Sequence, residues 1–243
     1  MFNVPFGITR FRRLIWVGIA ALVLPLLLLI GTGQELHSQE EAVTELGSGS
    51  YQFAGRIDQD GFDFDAYGYV YDIEGVAPAE LFSDSNPIDT SETTAHFTYR
   101  ASAELTSRAV ITDAQRSIFT LNSVGEIVYY YQETPEASFG DPDSFAQGTP
   151  VMTATIRLQD ILTVTGPDRG LAVGNGEISV LSAEPFTFDG ETVRFGRPGK
   201  SYQISTQGDA VRTDAEIPQS SVLLAGDATG VTWWQNFLPT ITE

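Results

Sequence analysis

Apolar and polar residues alternate along most of the chain after residue 50. The clearest example runs from His96 to Leu105, where every second residue from Phe97 onward is apolar and the residues between are polar or charged. Because successive side chains of a strand point to opposite faces, a period of two predicts a β-strand with one buried face. The segment Met152–Leu158 repeats the pattern. No amphipathic helical period of useful length follows residue 50, so the sequence predicts an all-β domain.

Turn-forming residues separate the apolar runs. The pair Asp189-Gly190 lies between Phe188 and Val193, and an Asp-Gly pair between alternating apolar residues is typical of a tight type I′ hairpin. The alternation predicts eight further strands: Tyr51–Ile57, Phe62–Ile73, Arg108–Thr112, Ile118–Leu121, Ile127–Gln132, Leu171–Leu181, Tyr202–Ser205 and Ser221–Ala225.

The aromatic residues of Phe62–Ile73 change parity within the segment. Phe62 and Phe64 occupy even positions, whereas the three tyrosines that follow occupy odd positions. A β-bulge near Ala66–Gly68 would bring both sets to one face, and bulges bend strands where sheets curl. We therefore expect a bulge at that point.

The number of short strands limits the fold class. Ten or so antiparallel strands in one domain form a barrel or a sandwich. We expect a single antiparallel β-barrel-like domain, because bulge and glycine signals are frequent and closure removes exposed strand edges. A β-sandwich is the alternative.

An uncharged apolar segment precedes the β domain. Leu14–Ile30 contains no charge, follows Arg10, Arg12 and Arg13, and no acidic residue occurs before Glu35. Such a segment is driven into a bilayer, and the basic residues before it favour the cytoplasmic side. The predicted domains are a cytoplasmic basic N-terminus (1–13), a transmembrane signal-anchor helix (14–30), an acidic flexible linker (31–49) and an extracytoplasmic β domain (50–243).

Cleavage of this segment is the alternative to anchoring. A signal peptide would be cut near Gly33, and the domain would then be secreted. The anchor is preferred because the apolar run is longer than the usual signal-peptide core of about 7–15 residues. The expected location is the cell membrane, with a single pass and the C-terminal domain outside the cytoplasm.

Charge and composition exclude several function classes. The net charge is −19, and the first 33 residues contribute three arginines and no acid, so the remainder carries −22. Such a surface repels phosphate, and nucleic-acid binding is not expected. Cysteine is absent, which excludes disulfides, cysteine nucleophiles and thiolate metal sites. Any histidine-based site would have to use His37 or His96, and His96 falls on a predicted polar strand face.

A short acidic run is a candidate calcium site. Asp58, Asp60, Asp63 and Asp65 surround Gly61, and clustered carboxylates around a glycine turn supply the oxygen ligands that Ca²⁺ prefers. The run lacks the spacing of an EF-hand loop. The alternative is a hairpin turn at Asp60-Gly61, followed by a strand with aspartates on its exposed face. No other cofactor is predicted.

Tyrosines form two clusters, one at strand spacing and one of three consecutive residues. The members are Tyr67, Tyr69, Tyr71, Tyr129, Tyr130 and Tyr131. Three consecutive side chains of a strand cannot all face the core, so at least one must face outward or into a cavity. A flat ring with a polar tip suits sugars, other proteins or the membrane interface. These six are the candidate ligand-binding residues, and ordinary sheet packing is the alternative.

No catalytic motif is present. The glycine-rich Gly170–Gly176 matches no dinucleotide fingerprint, and the lipase-type elbow and the phosphate-binding loop are absent. The long, glycine-punctuated strands resemble in pattern those of the small closed barrels of the allene oxide cyclase and dirigent families. This resemblance rests on no specific motif, and no residue role is transferred from it.

The sequence predicts a binding or structural role at the cell surface rather than catalysis. The expected ligand is a glycan, a small apolar molecule or a neighbouring envelope protein, because tyrosine is in surplus and no nucleophile, base or metal constellation is evident. The alternative is a cofactor-independent enzyme acting in a barrel cavity, in which tyrosines and a buried carboxylate orient a substrate or stabilise charge. A filled barrel interior would contradict that alternative, and the oligomeric state is not predicted.

Overall fold

The structure, a computed structural model, describes residues 43–84, 86, 88–214 and 218–231. Long strands make up most of this part of the chain. These residues all belong to the second of two units, Val43–Glu243. A short helix α1 (Pro78–Leu81) and a 3₁₀ turn (Pro142–Ala146) lie between strands. The strands are β1 (Thr44–Leu46), β2 (Ser50–Asp60), β3 (Asp63–Ile73), β4 (Phe97–Thr112), β5 (Ser117–Tyr131), β6 (Thr149–Gly166), β7 (Arg169–Ala183), β8 (Pro185–Phe188), β9 (Glu191–Phe195), β10 (Ser201–Asp214) and β11 (Gln219–Val231).

Eight of these strands close into an antiparallel barrel. Around the barrel the order is β2, β3, β4, β5, β6, β7, β10 and β11, and β11 pairs back to β2. Closure pairs the two strands that would otherwise be edges of the sheet. The prediction of an all-β, barrel-like domain is confirmed, and the sandwich alternative is wrong.

Two barrel strands join segments that the sequence predicts as separate. Strand β4 continues through Thr106, where its register with β5 shifts between Leu105 and Ser107. Strand β5 continues through Gly125, where a Cβ atom would overlap the carbonyl oxygen of Ser102. The apparent breaks in the sequence are thus a bulge and a close backbone approach inside continuous strands.

The predicted bulge at Ala66–Gly68 is wrong. Strands β2 and β3 stay in register there, and the shift falls at Tyr71 instead. Phe64 lines the barrel interior, whereas Tyr67 packs beneath residues 133–148, which we call the outer segment, and is only 2% exposed. Aromatic residues on both faces of β3 are therefore covered, which explains the change of parity without a bulge at this point.

A small sheet lies beside the barrel. Strands β8 and β9 form a hairpin in which Asp189 and Gly190 have φ values of 47° and 78°, so the predicted tight turn is confirmed. Strand β1 pairs with β9 in parallel. Because β1 lies within the predicted linker 31–49, folded structure begins earlier than residue 50.

Aromatic side chains fill one half of the barrel, which we call the closed half. The Tyr51 ring contacts three other rings at centroid distances of 5.2 to 5.7 Å, and its hydroxyl shares a hydrogen bond of 2.9 Å with that of Tyr129. Buried aromatic rings in tilted and edge-to-face contact contribute strongly to core stability. The residues of this cluster are Tyr51, Phe97, Tyr129, Phe195 and Tyr202, each at most 1% exposed.

Among the described residues, no helix combines the length and the apolar character needed to cross a membrane. The predicted membrane segment Leu14–Ile30 lies outside the described residues.

Candidate functional site

The other half of the barrel is hollow. Six of its inward-facing positions carry Ala or Gly, and they help to enclose a chamber of about 100 Å³. The wall is mostly apolar, since eight further lining residues are Ile, Leu, Val or Phe. The six small residues are Ala66, Ala101, Ala103, Ala172, Gly208 and Ala210.

A wider pocket of about 290 Å³, which we call the mouth, lies next to the chamber at the end of the barrel opposite the aromatic cluster. The β2–β3, β6–β7 and β10–β11 turns contribute to the mouth. The lining of the mouth includes five charged residues: Arg108, Arg169, Arg212, Asp168 and Asp214. Mouth and chamber adjoin each other, because they share the lining residues Gln59, Leu121, Leu162, Ala210 and Ser220.

One carboxylate projects into the chamber. Asp160 continues the inward-facing alternation of Met152–Leu158 on β6. It pairs in register with Gly174 of β7, which in turn pairs with Thr206 of β10. A Cβ atom on Gly174 would overlap both Asp160 Oδ1 and Thr206 Oγ1. The absence of a side chain at Gly174 therefore leaves the space that the carboxylate and the hydroxyl share.

The environment of Asp160 changes its acidity. Burial raises the pKa of this carboxyl group to about 6, because its charged form loses hydration and the chamber lining includes no cation to stabilise it. Near neutral pH the group is therefore able both to accept and to donate a proton.

The six tyrosines predicted to bind a ligand line neither the chamber nor its mouth. Tyr129 belongs to the closed half, and Tyr67 lies beneath the outer segment. Tyr69, Tyr71 and Tyr131 are partly buried and pack against the core cluster that contains Tyr129, whereas Tyr130 is partly buried and outside that cluster. The structure does not bring the six together, and their role in ligand binding stays a prediction from sequence.

Tyr131 lines a separate polar groove of about 290 Å³, together with Glu133 and Glu136 of the outer segment. His96 stacks on Tyr131 with ring centroids 5.9 Å apart, and its Nδ1 lies 2.7 Å from the Gln132 carbonyl oxygen. His96 is therefore engaged in packing against the C-terminal end of β5.

The four aspartates of the predicted calcium site lie on two paired strands next to the β2–β3 turn. Asp58 pairs with Asp65 and Asp60 pairs with Asp63 across the strands, and Gly61, at φ 64°, forms the turn. Within the residues that the structure describes, no group of three or more His, Cys, Asp or Glu side chains is arranged to hold a metal ion. The hairpin is present, and the calcium site stays a prediction.

Asp58 has protein partners of its own. It accepts hydrogen bonds from the Tyr67 hydroxyl at 2.6 Å and from Arg56 Nε at 2.7 Å. Burial alone would raise the pKa of Asp58, but these hydrogen bonds outweigh it and lower the pKa. Burial and the hydrogen bond to Asp58 raise the pKa of Tyr67 to about 12. This aspartate therefore holds Tyr67 in place under the outer segment.

The sequence predictions do not include Asp160, although a signal for it exists. The alternation that begins at Met152 places Asp160 and Leu162 on the apolar face of the strand. An acidic residue on an apolar face costs free energy unless it is paired, so such a position is a candidate for function. Alanines and glycines at inward positions are the corresponding signal for the chamber.

No protein-family model, curated protein or solved structure matches this chain. Function is therefore inferred from the chamber itself, since a barrel fold alone hosts many functions.

Proposed function

We propose that this β-barrel domain binds a small, mainly apolar molecule inside the hollow half of the barrel. The observation that carries the proposal is an apolar chamber inside the barrel that adjoins the wider mouth. Small-molecule sites typically combine an apolar lining with a few polar groups that fix orientation. Transfer of apolar ligand surface out of water supplies the binding free energy. Asp160 and Thr206 orient the ligand by accepting or donating hydrogen bonds.

The wall of the chamber favours this ligand over the others that the sequence predicts. A glycan needs many hydrogen-bonding partners, and the chamber lining offers five polar residues among nineteen. An envelope protein is too large to enter a chamber of about 100 Å³. A small apolar molecule uses both the volume and the character of the wall.

We further propose that binding takes place outside the cytoplasm. The support is the uncharged segment Leu14–Ile30, which follows three arginines. In this proposal the segment tethers the domain to the cell membrane, or is removed by cleavage near Gly33 so that the domain is secreted.

Fluorescence titration with N-phenyl-1-naphthylamine tests the binding site. This neutral probe has two aromatic ring systems and one N–H donor, and it becomes brighter in apolar surroundings. The full chain should show saturable enhancement. The Ala172→Phe variant places a ring in the chamber and should bind the probe at least about tenfold more weakly, which is about 1.4 kcal/mol.

The matched control is Val173→Phe on the same strand. Val173 is 39% exposed and faces the outside of the barrel, so this variant adds the same ring without filling the chamber. It should bind the probe as the unmodified chain does. Equal binding by both variants would place the probe elsewhere on the chain and contradict the proposal, provided that circular dichroism shows both variants to be folded.

A further inference from the structure

A charged group in the chamber is not needed for binding an apolar molecule. Desolvating a carboxylate costs folding free energy unless a partner compensates. Leucines flank Asp160 at inward positions of β6. An uncharged residue of similar size at position 160 would line the same wall without the desolvation cost of a carboxylate. The position of Asp160 therefore indicates a task that requires a carboxylate.

The surroundings isolate Asp160 electrostatically. The strands that form the chamber present Gln59, Ser123, Thr206 and Ser220 as its other polar residues, and none of these carries a charge. The nearest ring of charges belongs to the mouth, where three arginines and two aspartates lie. A base held in an apolar site without a counter-ion is poorly solvated, and its proton affinity increases accordingly.

Building on the proposed binding function, we propose that Asp160 is a general base and general acid in the chamber. It would act on a small apolar β,γ-unsaturated carbonyl compound, in which the reacting C–H bond lies between the carbonyl group and a C=C bond. The chemistry requires no cofactor, because a proton is moved and nothing is oxidised or reduced. The net reaction is an isomerisation.

The atoms and electrons of this step balance. The Asp160 carboxylate takes the proton from carbon, and the electron pair of the C–H bond moves into a C=C bond while the carbonyl oxygen becomes negative. The hydroxyl of Thr206 borders the same space and is placed to donate a hydrogen bond to that oxygen. In the resulting dienolate, Asp160 returns the proton to the γ-carbon, the C=C bond shifts to lie next to the carbonyl carbon, and both the carbonyl group and the carboxylate are restored.

The Kemp elimination of 5-nitrobenzisoxazole is a direct assay for such a base. A base removes the proton from the ring C–H next to nitrogen, the C–H electron pair forms the C≡N bond, and the N–O bond breaks to leave a coloured phenolate. The full chain should accelerate this reaction. A positioned acid or base typically contributes about 10²–10⁴-fold, so Asp160→Asn should lower the protein-catalysed rate at least about 100-fold.

The matched control is Asp209→Asn. Asp209 lies on β10, as Thr206 does, but is exposed on the outer face of the barrel, so its replacement should leave the rate unchanged. The pH profile gives a second readout. Because burial raises the pKa of Asp160 to about 6, the rate should rise between about pH 5 and about pH 7 and then level off.

Binding of N-phenyl-1-naphthylamine separates failure of this inference from failure of the proposed function. If Asp160→Asn binds the probe and loses the elimination activity, the carboxylate is the base. If the unmodified chain binds the probe but is no faster than Asp160→Asn, proton transfer is refuted and binding stands. If the unmodified chain binds no probe in the chamber, the proposed function itself fails.

Discussion

Asp160 should make the stability of this domain depend on pH in an unusual direction. The pKa of the carboxyl group rises from 3.8 to about 6 on folding. Between these values the folded chain binds more protons than the unfolded chain, so the free energy of unfolding falls as the pH rises from about 4 to about 6. This rise in pKa corresponds to up to about 3 kcal/mol.

The perturbation is Asp160→Asn, which keeps the shape of the side chain and removes its charge. At about pH 4 the variant and the unmodified chain should have similar free energies of unfolding, because Asp160 is mostly protonated in the folded state. At about pH 8 the variant should be more stable by up to about 3 kcal/mol, because it no longer buries a charge. Urea unfolding of the full chain at a series of pH values measures the difference.

The comparison with Asp209→Asn controls for loss of a negative charge from an acidic protein. Asp209 is exposed, so its replacement should change the free energy of unfolding by less than about 0.5 kcal/mol. A difference between Asp160→Asn and the unmodified chain that stays constant from about pH 4 to about pH 8 would refute the reasoning. Such a result would mean that Asp160 is as well solvated in the barrel as in the unfolded chain.

Two further predictions concern the packing of the outer segment and of strand β5. Thr98 is fully buried, and its hydroxyl donates a hydrogen bond of 2.7 Å to the Phe145 carbonyl oxygen. The Thr98→Val variant should therefore have a free energy of unfolding lower by about 1–3 kcal/mol, and proteolysis of its outer segment should be faster. Gly125→Ala should lower the free energy of unfolding, measured with urea, by at least about 1–3 kcal/mol, because its Cβ would overlap the backbone of Ser102. Gly166→Ala, at a position with open space around it, should change stability by less than about 0.5 kcal/mol, and equal costs at the two glycines would contradict this account.

The sequence was sufficient to predict that the domain consists of antiparallel strands, although not the full extent of each strand. Alternation in His96–Leu105 and Met152–Leu158 identifies inward and outward faces, and Asp189-Gly190 identifies a hairpin. These features are local, because a period of two and a turn dipeptide each depend on a few neighbouring residues. These features favour closure into a barrel, because closure removes exposed strand edges.

The chamber could not be predicted in the same way. Its size depends on which inward residues meet across the barrel, and that depends on the register between strands distant in sequence. Ala66 lies opposite Ala101 in the β3–β4 pair, and Ala172 lies opposite Gly208 in the β7–β10 pair. A single small residue is unremarkable, but several at one level of the barrel leave a void. The Asp160 carboxylate gains its significance only from that void.

The division of the barrel into a filled and a hollow half separates the residues that maintain the fold from those that would select a ligand. The aromatic cluster of the closed half carries much of the tertiary packing, and substitutions there are costly. Side chains around the chamber border empty space, so moderate changes in their size alter the shape of the cavity with little loss of packing. Evolution, or a protein engineer, could therefore change which molecule this barrel accepts by mutating the chamber, while the closed half preserves the stability that such changes require.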